Sequence, residues 1–314
     1  MIKLGALCWN QYTDWPSFLE AGKRADRLGF DSLWTWDHLY PIVGANEGPM
    51  FEGYLTLAAW AMATERITVG LMVGANPFRN PAVVAKMATT LDHISGGRAV
   101  LGIGSAWFET EAHAFGLEFG ESPGERLRWL GEALPVIRGM LHGEEPSAAG
   151  RHYHADSVLN NPLPLQHRLP LLVGGGGEKV TLKLVARYAD ACNVGAAAGI
   201  DVVRRKEAAL RQHCLDVGRD EAEIERTLNL GPIIIRNTRE EALDVLSASF
   251  AANGGAQTWA SRRPDQQPLG PPERIAESLA PFVELGYRHV ITGFPSPYDE
   301  ETMVRLVEEV RPLL

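Results

Sequence analysis

The chain has 314 residues, of which 45% are hydrophobic and 22% are charged, and its formal net charge is −9. This length suits either two average domains or one large α/β barrel. An acidic chain without a dense cluster of lysine and arginine argues against nucleic acid and anionic membrane surfaces as partners. The N-terminus lacks an apolar leader and no segment approaches about 20 apolar residues, so we expect no secretory signal and no membrane span.

The cysteines are few and widely spaced. Cys8, Cys192 and Cys214 are odd in number and lack C-x-x-C pairing, which indicates neither a disulfide framework nor a zinc site. A reducing cytoplasm fits this usage. We expect Cys192 to be a small core residue rather than a nucleophile, because no base lies near it in the sequence.

Strand patterns alternate with helix patterns along the whole chain. Strands are predicted over residues 2–8, 31–36, 67–73, 99–103, 169–173, 191–194, 228–235 and 289–292. Helices are predicted over residues 14–28, 54–64, 81–94, 125–141, 178–186, 201–217, 239–253, 273–285 and 300–313. This alternation predicts one α/β domain over residues 1–314, a (β/α)8 TIM barrel with loop insertions, and an open doubly wound sheet is the alternative.

Two stretches rich in glycine and proline interrupt the alternation. About 28 residues after the helix at 125–141 are predicted to be an insertion outside the core, with His152 and His154 facing solvent. Residues 254–272 are predicted to be a mobile loop that could act as a lid. No G-x-G-x-x-G follows the first strand, where Cys8, Trp9 and Asn10 stand instead, which argues against a Rossmann domain.

Four consecutive glycines, Gly174 to Gly177, lie between the predicted strand at 169–173 and the helix at 178–186. A strand that enters a helix through glycine leaves unpaired backbone N–H groups at a helix N-terminus, where the helix dipole favours an anion. Glycine also lets a ligand approach without meeting a Cβ. The run therefore predicts a phosphate site, and a tight turn that binds nothing is the alternative.

In a (β/α)8 barrel the chemistry lies at the carboxyl ends of the strands. Asp37 and His38 follow the second strand beside Trp34 and Trp36, and an Asp-His pair in that position can orient a ring and move a proton. A helix-capping aspartate and a surface histidine are the alternative. Arg79, after the third strand, either holds an anion or braces its loop.

The fourth strand is followed by Gly104, Ser105 and Trp107. The glycine permits close backbone approach to a flat ligand, and Trp107 could pack on it. Glu109, Glu111 and His113 come next, and we interpret them as a loop of solvated charges rather than a metal site.

The chain resembles the bacterial luciferase-like superfamily, and within it the oxidoreductases that depend on coenzyme F-420 (written F420 in enzyme names). The resemblance runs from the first strand to about Arg226 and returns near Pro272. The matching motifs are residues 34–38, 64–70, 79–86, 92–98, 102–107, 174–179 and 186–190. Their order and spacing together identify the superfamily, whereas each alone is a weak signal.

The resemblance implies a luciferase-like (β/α)8 barrel that binds a deazaflavin or flavin across the strand ends. It implies catalytic roles for Asp37 and His38, with His38 handling the proton. It implies a kink at Met72-Val73, often a non-prolyl cis peptide, that supports the ring. The implied cofactor-binding residues are Asp37, Met72, Val73, Asn76, Gly104, Ser105, Trp107, Gly174, Gly175, Gly176, Gly177, Glu178 and Lys179, and no metal is implied.

The chain departs from the family pattern at one position. Some F-420 enzymes carry an acidic glutamate directly after the second glycine of the fourth-strand loop, where this chain has Ser105. Glu109 and Glu111 lie further on. The general acid is therefore unassigned, and the departure weighs against a sugar-phosphate substrate.

A deazaflavin transfers a hydride at C5, so the protein must hold the ring flat, place the substrate against it and exclude water. Trp9, Trp36 and Tyr40, with Trp107 and Trp259, predict an aromatic pocket for a small organic substrate. An FMN-dependent two-component monooxygenase is the closest alternative. A non-catalytic ligand-binding barrel and a phosphosugar-processing barrel are the others. By resemblance we also expect a homodimer, and a flavin or F-420 reductase could supply reduced cofactor.

Overall fold

The computed structural model describes residues 2–255 and 267–314. Its fold is the (β/α)8 TIM barrel that the alternation predicts. The barrel strands are β1 (Lys3–Cys8), β2 (Ser32–Thr35), β3 (Thr68–Leu71), β4 (Ala99–Gly104), β5 (Leu171–Gly174), β6 (Ala191–Gly195), β7 (Glu225–Pro232) and β8 (His289–Phe294). The helices are α1 (Trp15–Leu28), α2 (Gly53–Ala63), α3 (Pro81–Ser95), α4 (Glu109–Ala114), α5 (Pro123–Leu141), α6 (Thr181–Tyr188), α7 (Ile200–Val217), α8 (Arg239–Ala252), α9 (Pro272–Glu284) and α10 (Glu300–Arg305).

The chain forms two compact units. The first comprises Met1–Thr68, Val194–Arg205 and Arg226–Leu314, and the second comprises Val69–Asn193 and Lys206–Glu225. A single domain over residues 1–314 stays a prediction. Trp259 and most of the predicted loop at 254–272 lie outside the described residues. None of the helices described here combines the length and apolar character needed to cross a bilayer.

In the first unit, β1 pairs in parallel with β2 and β8, and β7 pairs with β8. The side chains of Ile291 and Ser32 pack directly against Gly5 of β1. A Cβ on Gly5 would lie 2.7 Å from Ile291 Cγ1 and from Ser32 Oγ. The Trp34 indole N–H donates to Ser32 Oγ at 2.7 Å, and that hydroxyl shares a second hydrogen bond of 2.7 Å with His289 Nε2. The buried Ser32 hydroxyl is therefore hydrogen-bonded on both sides, as burial of a polar group favours.

Helix boundaries follow the capping residues. Asp14 caps α1 by accepting from Ser17 N at 2.9 Å, and Gly29 ends the helix in the left-handed conformation at a φ of 92°. Thr238 and Glu241 form a capping box at the start of α8. These contacts satisfy backbone groups that a helix end leaves unpaired, which is why the sequence signals predict the boundaries well.

In the second unit, β4 pairs with β3 and β5, and β5 pairs with β6, all in parallel. Gly102 is required in β4, because a Cβ there would overlap the Leu71 carbonyl oxygen. Asp190, directly before β6, accepts from Leu171 N at 2.9 Å and from the side chains of Arg138 and Arg168. Burial raises the Asp190 pKa, but the Arg138 hydrogen bond and these other contacts outweigh burial and lower it.

The predicted strand at 228–235 is broken in two. β7 ends at Pro232, whose nitrogen cannot donate to the ladder, and its register against β8 shifts between Leu230 and Pro232. Ile234–Ile235 then pairs in parallel with Leu269–Gly270. The end of the predicted mobile loop is therefore a buried strand, which corrects the interpretation of that part of residues 254–272.

The stretch after α5 is not simply an excursion on the surface. Ala148–Ala149 and His154–Ala155 form an antiparallel hairpin, and Tyr153 is 7% exposed. His152, predicted to face solvent, lies parallel to Trp129 with ring centroids 3.6 Å apart. His154 is exposed, as predicted. The glycines and prolines correctly indicate irregular backbone, but they do not reveal which side chains turn inward.

Candidate functional site

The glycine run follows the carboxyl end of β5, but it does not open the next helix directly. Gly174 ends β5, and α6 begins at Thr181 rather than at Glu178. A turn over residues 178–180 intervenes, with Leu182 N donating to the Gly177 carbonyl at 3.0 Å. The predicted helix start was wrong because Gly175 turns the chain away from helical geometry, with a φ of 118°.

Glycine is needed at these positions because side chains fill the space beside them. A Cβ on Gly174 would lie 2.8 Å from both γ carbons of Val73. A Cβ on Gly177 would lie 2.9 Å from Thr181 Oγ1. The segment is thus glycine backbone packed against side chains, and the Gly175 N–H donates to the Asn193 carbonyl at 3.1 Å.

A lysine that the sequence analysis missed lies against the run. The side chain of Lys206, from α7, packs on Gly176, so that a Cβ there would lie within 3.0 Å of Nζ. In the part of the chain that the structure describes, no carboxylate pairs with this ammonium. Lys179, the lysine that the resemblance implied, is exposed in the turn. A cation beside backbone N–H groups suits a phosphate.

The signal for Lys206 exists in the sequence, but it is indirect. Val203, Glu207 and Leu210 are buried at helical spacing along α7, and Lys206 borders that face. A lysine beside the inward face of the helix after β6 can reach the adjoining β5 end in a parallel sheet. Glu178, also implied to bind cofactor, is half-buried, and its carbonyl is hydrogen-bonded to His213 Nε2 at 2.8 Å.

The kink implied at the end of the third strand is present. The Met72-Val73 peptide is cis, and Gly74–Ala75 beyond it pairs with the end of β4. The Val73 side chain reaches both Gly104 and Gly174, since a Cβ on either glycine would lie 2.8 Å from a Val73 methyl carbon. The structure therefore brings together Val73, Gly104 and Gly174 at the ends of three strands.

Asn76 is 1% exposed and begins a short helical turn after Gly74–Ala75. Its side-chain Nδ2 donates to the Tyr153 hydroxyl at 3.1 Å, and that hydroxyl donates to the Asn76 carbonyl at 3.0 Å. Its Oδ1 is buried and has no hydrogen-bond partner among residues 2–255 and 267–314. A buried acceptor without a donor is costly, so this atom suits a ligand that brings an N–H or O–H group.

The residues after β4 lie at graded depths. Gly104 is buried, Ser105 is half-buried, and Trp107 is 62% exposed with its ring 5.3 Å from that of Phe108. Glu109 is exposed, but Glu111 is 1% exposed within the short helix α4. The interpretation of this segment as a solvated loop is therefore wrong for Glu111. No group of three or more potential metal ligands occurs among the described residues.

A second set of candidate residues follows β1 and β2 in the first unit. The Trp9 and Trp36 rings lie 4.8 Å apart, and Trp9 is 6.3 Å from Phe250, which the sequence analysis did not select. The Trp36 ring lies edge-on to His38 at 6.5 Å. These side chains form an aromatic cluster, defined here as Trp9, Trp36, His38 and Phe250.

Hydrogen bonds from a side-chain amide to backbone carbonyls hold these strand ends. Asn10 Nδ2 donates to the Trp36 carbonyl at 3.2 Å and to the Phe51 carbonyl at 2.6 Å. Asp37 is 3% exposed, whereas His38 and Tyr40 are half-buried. A buried carboxylate next in sequence to a partly accessible imidazole can steady the ring for proton transfer.

The cysteines take no part in either set of residues. Cys8, Cys192 and Cys214 are all buried, and no disulfide joins them. Burial raises the pKa of the Cys8 thiol to about 12, so this thiol is not poised to form a nucleophilic thiolate. Cys192 is the core residue that we expected.

Comparison with known proteins decides the family. Residues 5–289 match the model of the luciferase-like monooxygenases. The chain belongs to the luciferase-like monooxygenase family. The F420-dependent glucose-6-phosphate dehydrogenase of Kineococcus radiotolerans is 28% identical to this family member, over 93% of this chain and 90% of that protein. The FMNH(2)-dependent dimethylsulfone monooxygenase of Pseudomonas putida is 26% identical, over 86% and 80%.

A solved structure of the same fold extends the comparison. An F420-dependent secondary alcohol dehydrogenase in complex with an F420-acetone adduct matches with a TM-score of 0.83. The match covers 99% of this luciferase-like chain and 98% of that one, at 20% sequence identity. At this identity the likeness establishes the shared barrel fold.

Proposed function

We propose that the protein is an F-420-dependent oxidoreductase that transfers a hydride between the deazaflavin C5 and a small organic substrate. The observation that carries the proposal is the glycine run after β5, with Lys206 against Gly176, in a chain of this family. Relatives named as F420-dependent dehydrogenases support the cofactor. The bound coenzyme would supply the hydride chemistry, and the protein would supply binding, orientation and proton handling.

The proposed phosphate-binding residues are Gly174, Gly175, Gly176, Gly177, Glu178 and Lys179, and we add Lys206. The glycine backbone suits a phosphate because an anion can approach it without meeting a Cβ, although the Gly175 N–H already donates to the Asn193 carbonyl. The proposed ring-binding residues are Asp37, Met72, Val73, Asn76, Gly104, Ser105 and Trp107. The unpartnered Asn76 Oδ1 fits a ring system that carries an N–H donor.

We assign proton transfer to the His38 imidazole, and we assign to the Asp37 carboxylate the role of orienting that ring. An imidazole can give a proton to a substrate oxygen or take one from it. Trp9, Trp36 and Tyr40 would line the substrate pocket. Their aromatic, uncharged surfaces favour a neutral organic alcohol or carbonyl compound over a sugar phosphate.

A guanidinium follows a strand of the first unit closely, but carboxylates already pair with it. Arg236, just beyond β7, forms a bidentate pair with Asp299 at 2.8 and 3.0 Å and contacts Glu301 at 3.2 Å. The Asp299 hydrogen bond raises the Arg236 pKa further. A guanidinium held in this way is a poor substrate-phosphate ligand, which agrees with a neutral substrate.

An FMN-dependent two-component monooxygenase is the second candidate, and a relative of that class favours it. Turnover assays with each cofactor distinguish the two candidate functions. We expect oxidised F-420 to be bleached by neutral secondary alcohols without oxygen, or reduced F-420 to be oxidised by ketones. Product formation that requires reduced FMN and oxygen, with no F-420 turnover, would establish the monooxygenase. No turnover with either cofactor would contradict both.

We also propose a homodimer in the cytoplasm, supplied with reduced cofactor by a flavin or F-420 reductase. Helix α2 supports the dimer because Leu55 and Met62 on it are 74% and 75% exposed, and exposed apolar residues on one helix indicate a partner surface. Three cysteines that form no disulfide with one another suit a reducing compartment. Sedimentation of the protein and of a Leu55→Glu, Met62→Glu variant tests the dimer: the native protein should sediment as a dimer, and the variant as a monomer.

A further inference from the structure

We propose that Tyr153 is a positioning residue of the cofactor site, whose hydroxyl fixes the Asn76 carboxamide so that Oδ1 receives an N–H or O–H group of the bound cofactor. The inference rests on the proposed function, because it assumes that a flavin-type cofactor lies beside Asn76. It gives the hairpin after α5 a role in binding.

The direction of each hydrogen bond fixes the orientation of the amide. A tyrosine hydroxyl carries one proton, and the Tyr153 proton goes to the Asn76 backbone carbonyl at 3.0 Å. The hydroxyl oxygen can then only accept from the Asn76 side chain, which turns Nδ2 toward Tyr153 at 3.1 Å. Oδ1 is thereby directed away from Tyr153, and it is buried with no hydrogen-bond partner in the described part of the chain.

The hydroxyl is held in its donor form and in place. Burial raises the pKa of Tyr153, so the proton stays on the oxygen at any physiological pH. The turn that carries the residue is fastened to α5, because the Glu132 carboxylate accepts from the backbone N–H groups of Arg151, His152 and Tyr153 at 3.0 to 3.1 Å. Stacking of His152 on Trp129 adds a second fastening.

Loss of the hydroxyl should release the amide. In Tyr153→Phe the Asn76 side chain loses the acceptor for Nδ2, and either end of the amide can then face the ligand. The ring of phenylalanine keeps the packing. We therefore expect weaker cofactor binding without loss of the fold.

The test is a double-mutant cycle on the Kd of F-420, with FMN titrated in parallel. Tyr153→Phe should weaken binding about three- to tenfold, the range of one neutral hydrogen bond. In an Asn76→Ala background the same substitution should change Kd by less than about twofold, because its effect passes through the amide. Equal losses in both backgrounds would indicate a structural role and overturn the proposal.

Thr89→Val is the matched control. Its hydroxyl accepts from Asn160 Nδ2 at 2.9 Å in the same unit, with no contact to Asn76, so the variant should lower the melting temperature and leave Kd unchanged. The crystal structure of cofactor-free Tyr153→Phe gives a readout independent of binding. An Asn76 amide rotated or split between two orientations supports the proposal, and an unchanged amide overturns it. Wild-type protein that binds neither cofactor would instead overturn the proposed function.

Discussion

The two groups of strand-end residues differ in what they are made of. The group after β3, β4 and β5 is built from backbone and glycine, with Val73 between Gly104 and Gly174. The group after β1 and β2 is built from large side chains, with Trp9 4.8 Å from Trp36. A backbone surface suits a phosphate and a flat ring that many enzymes share, whereas a side-chain surface suits one substrate. The proposed function therefore predicts that substitutions in the first of these groups change cofactor binding and that substitutions in the second change catalysis and specificity.

Substitution of His38 should separate the two groups most sharply. Loss of general acid-base catalysis typically lowers rates about 10²- to 10⁴-fold, so His38→Ala should lower kcat by that factor. The Kd of F-420 should change little, because the phosphate contacts are intact. His154→Ala, at an exposed histidine of the hairpin, is the control and should match wild type. A His38→Ala enzyme with full activity would remove His38 from the chemistry.

A methyl group on the glycine run should instead change mainly the Kd of F-420. Gly176→Ala places a Cβ within 3.0 Å of Lys206 Nζ. The new methyl group forces the ammonium away and leaves less space for a phosphate beside the glycine backbone. We expect the Kd of F-420 to rise about tenfold or more, as for loss of a charge-assisted hydrogen bond.

The matched control is another glycine-to-alanine change in the same unit. A Cβ on Gly131, within α5, would meet only Leu184 at an ordinary 3.6 Å. Gly131→Ala should therefore raise stability by about 0.5–1 kcal/mol and leave Kd unchanged. Equal affinity of Gly176→Ala and wild type would show that the glycine run is only a turn.

Removal of the Lys206 charge should have a smaller effect that depends on salt. Lys206→Gln should weaken F-420 binding about three- to tenfold at low ionic strength, since backbone donors still hold the phosphate. The difference from wild type should shrink as salt is added. Lys183→Gln, at an exposed lysine of α6, should bind as wild type does. Affinity in Lys206→Gln that is unchanged at all salt concentrations would contradict this role.

The smallest expected effect concerns the hydrogen bonds of the Glu132 carboxylate and the pH dependence of the stability that they contribute. Burial raises the Glu132 pKa, but the backbone N–H groups of Tyr153, His152 and Arg151 outweigh it and lower the pKa below 4.5. Because the folded pKa is depressed, the carboxylate stabilises the fold above pH 4.5 and this stability is lost as the pH falls through the folded pKa. Glu132→Gln should therefore be less stable at pH 7 by about 1 kcal/mol. The deficit should vanish in acid melts below the folded pKa, and a pH-independent deficit would contradict the assignment.

The sequence predicts the barrel because periodicity and capping are local signals. The side chains of Asp14 and Thr238 accept from backbone N–H groups where their helices begin, and Gly29 ends a helix in the left-handed conformation. The cis peptide at Met72-Val73 is found where the family resemblance placed it, although neither residue type by itself predicts a cis peptide.

What sequence reasoning missed depends on contacts between distant residues. Lys206 reaches Gly176 from a helix 30 residues on, and Tyr153 reaches Asn76 across 77 positions. The start of α6 was misplaced because Gly175 adopts a φ of 118° that a run of glycines permits but does not specify. Trp129 and His152 stack although their segments show no shared periodicity. Such pairings are set by tertiary packing rather than by local propensity.

The most direct test of the central claim is a fluorescence titration of the purified, folded protein with F-420, run beside FMN. The glycine run and Lys206 predict binding of a cofactor phosphate, and the proposed function predicts that F-420 binds tightly and FMN weakly. Gly176→Ala in the same titration should lose the F-420 affinity. Tight binding of FMN with no binding of F-420 would contradict the account and identify a flavin-dependent monooxygenase instead.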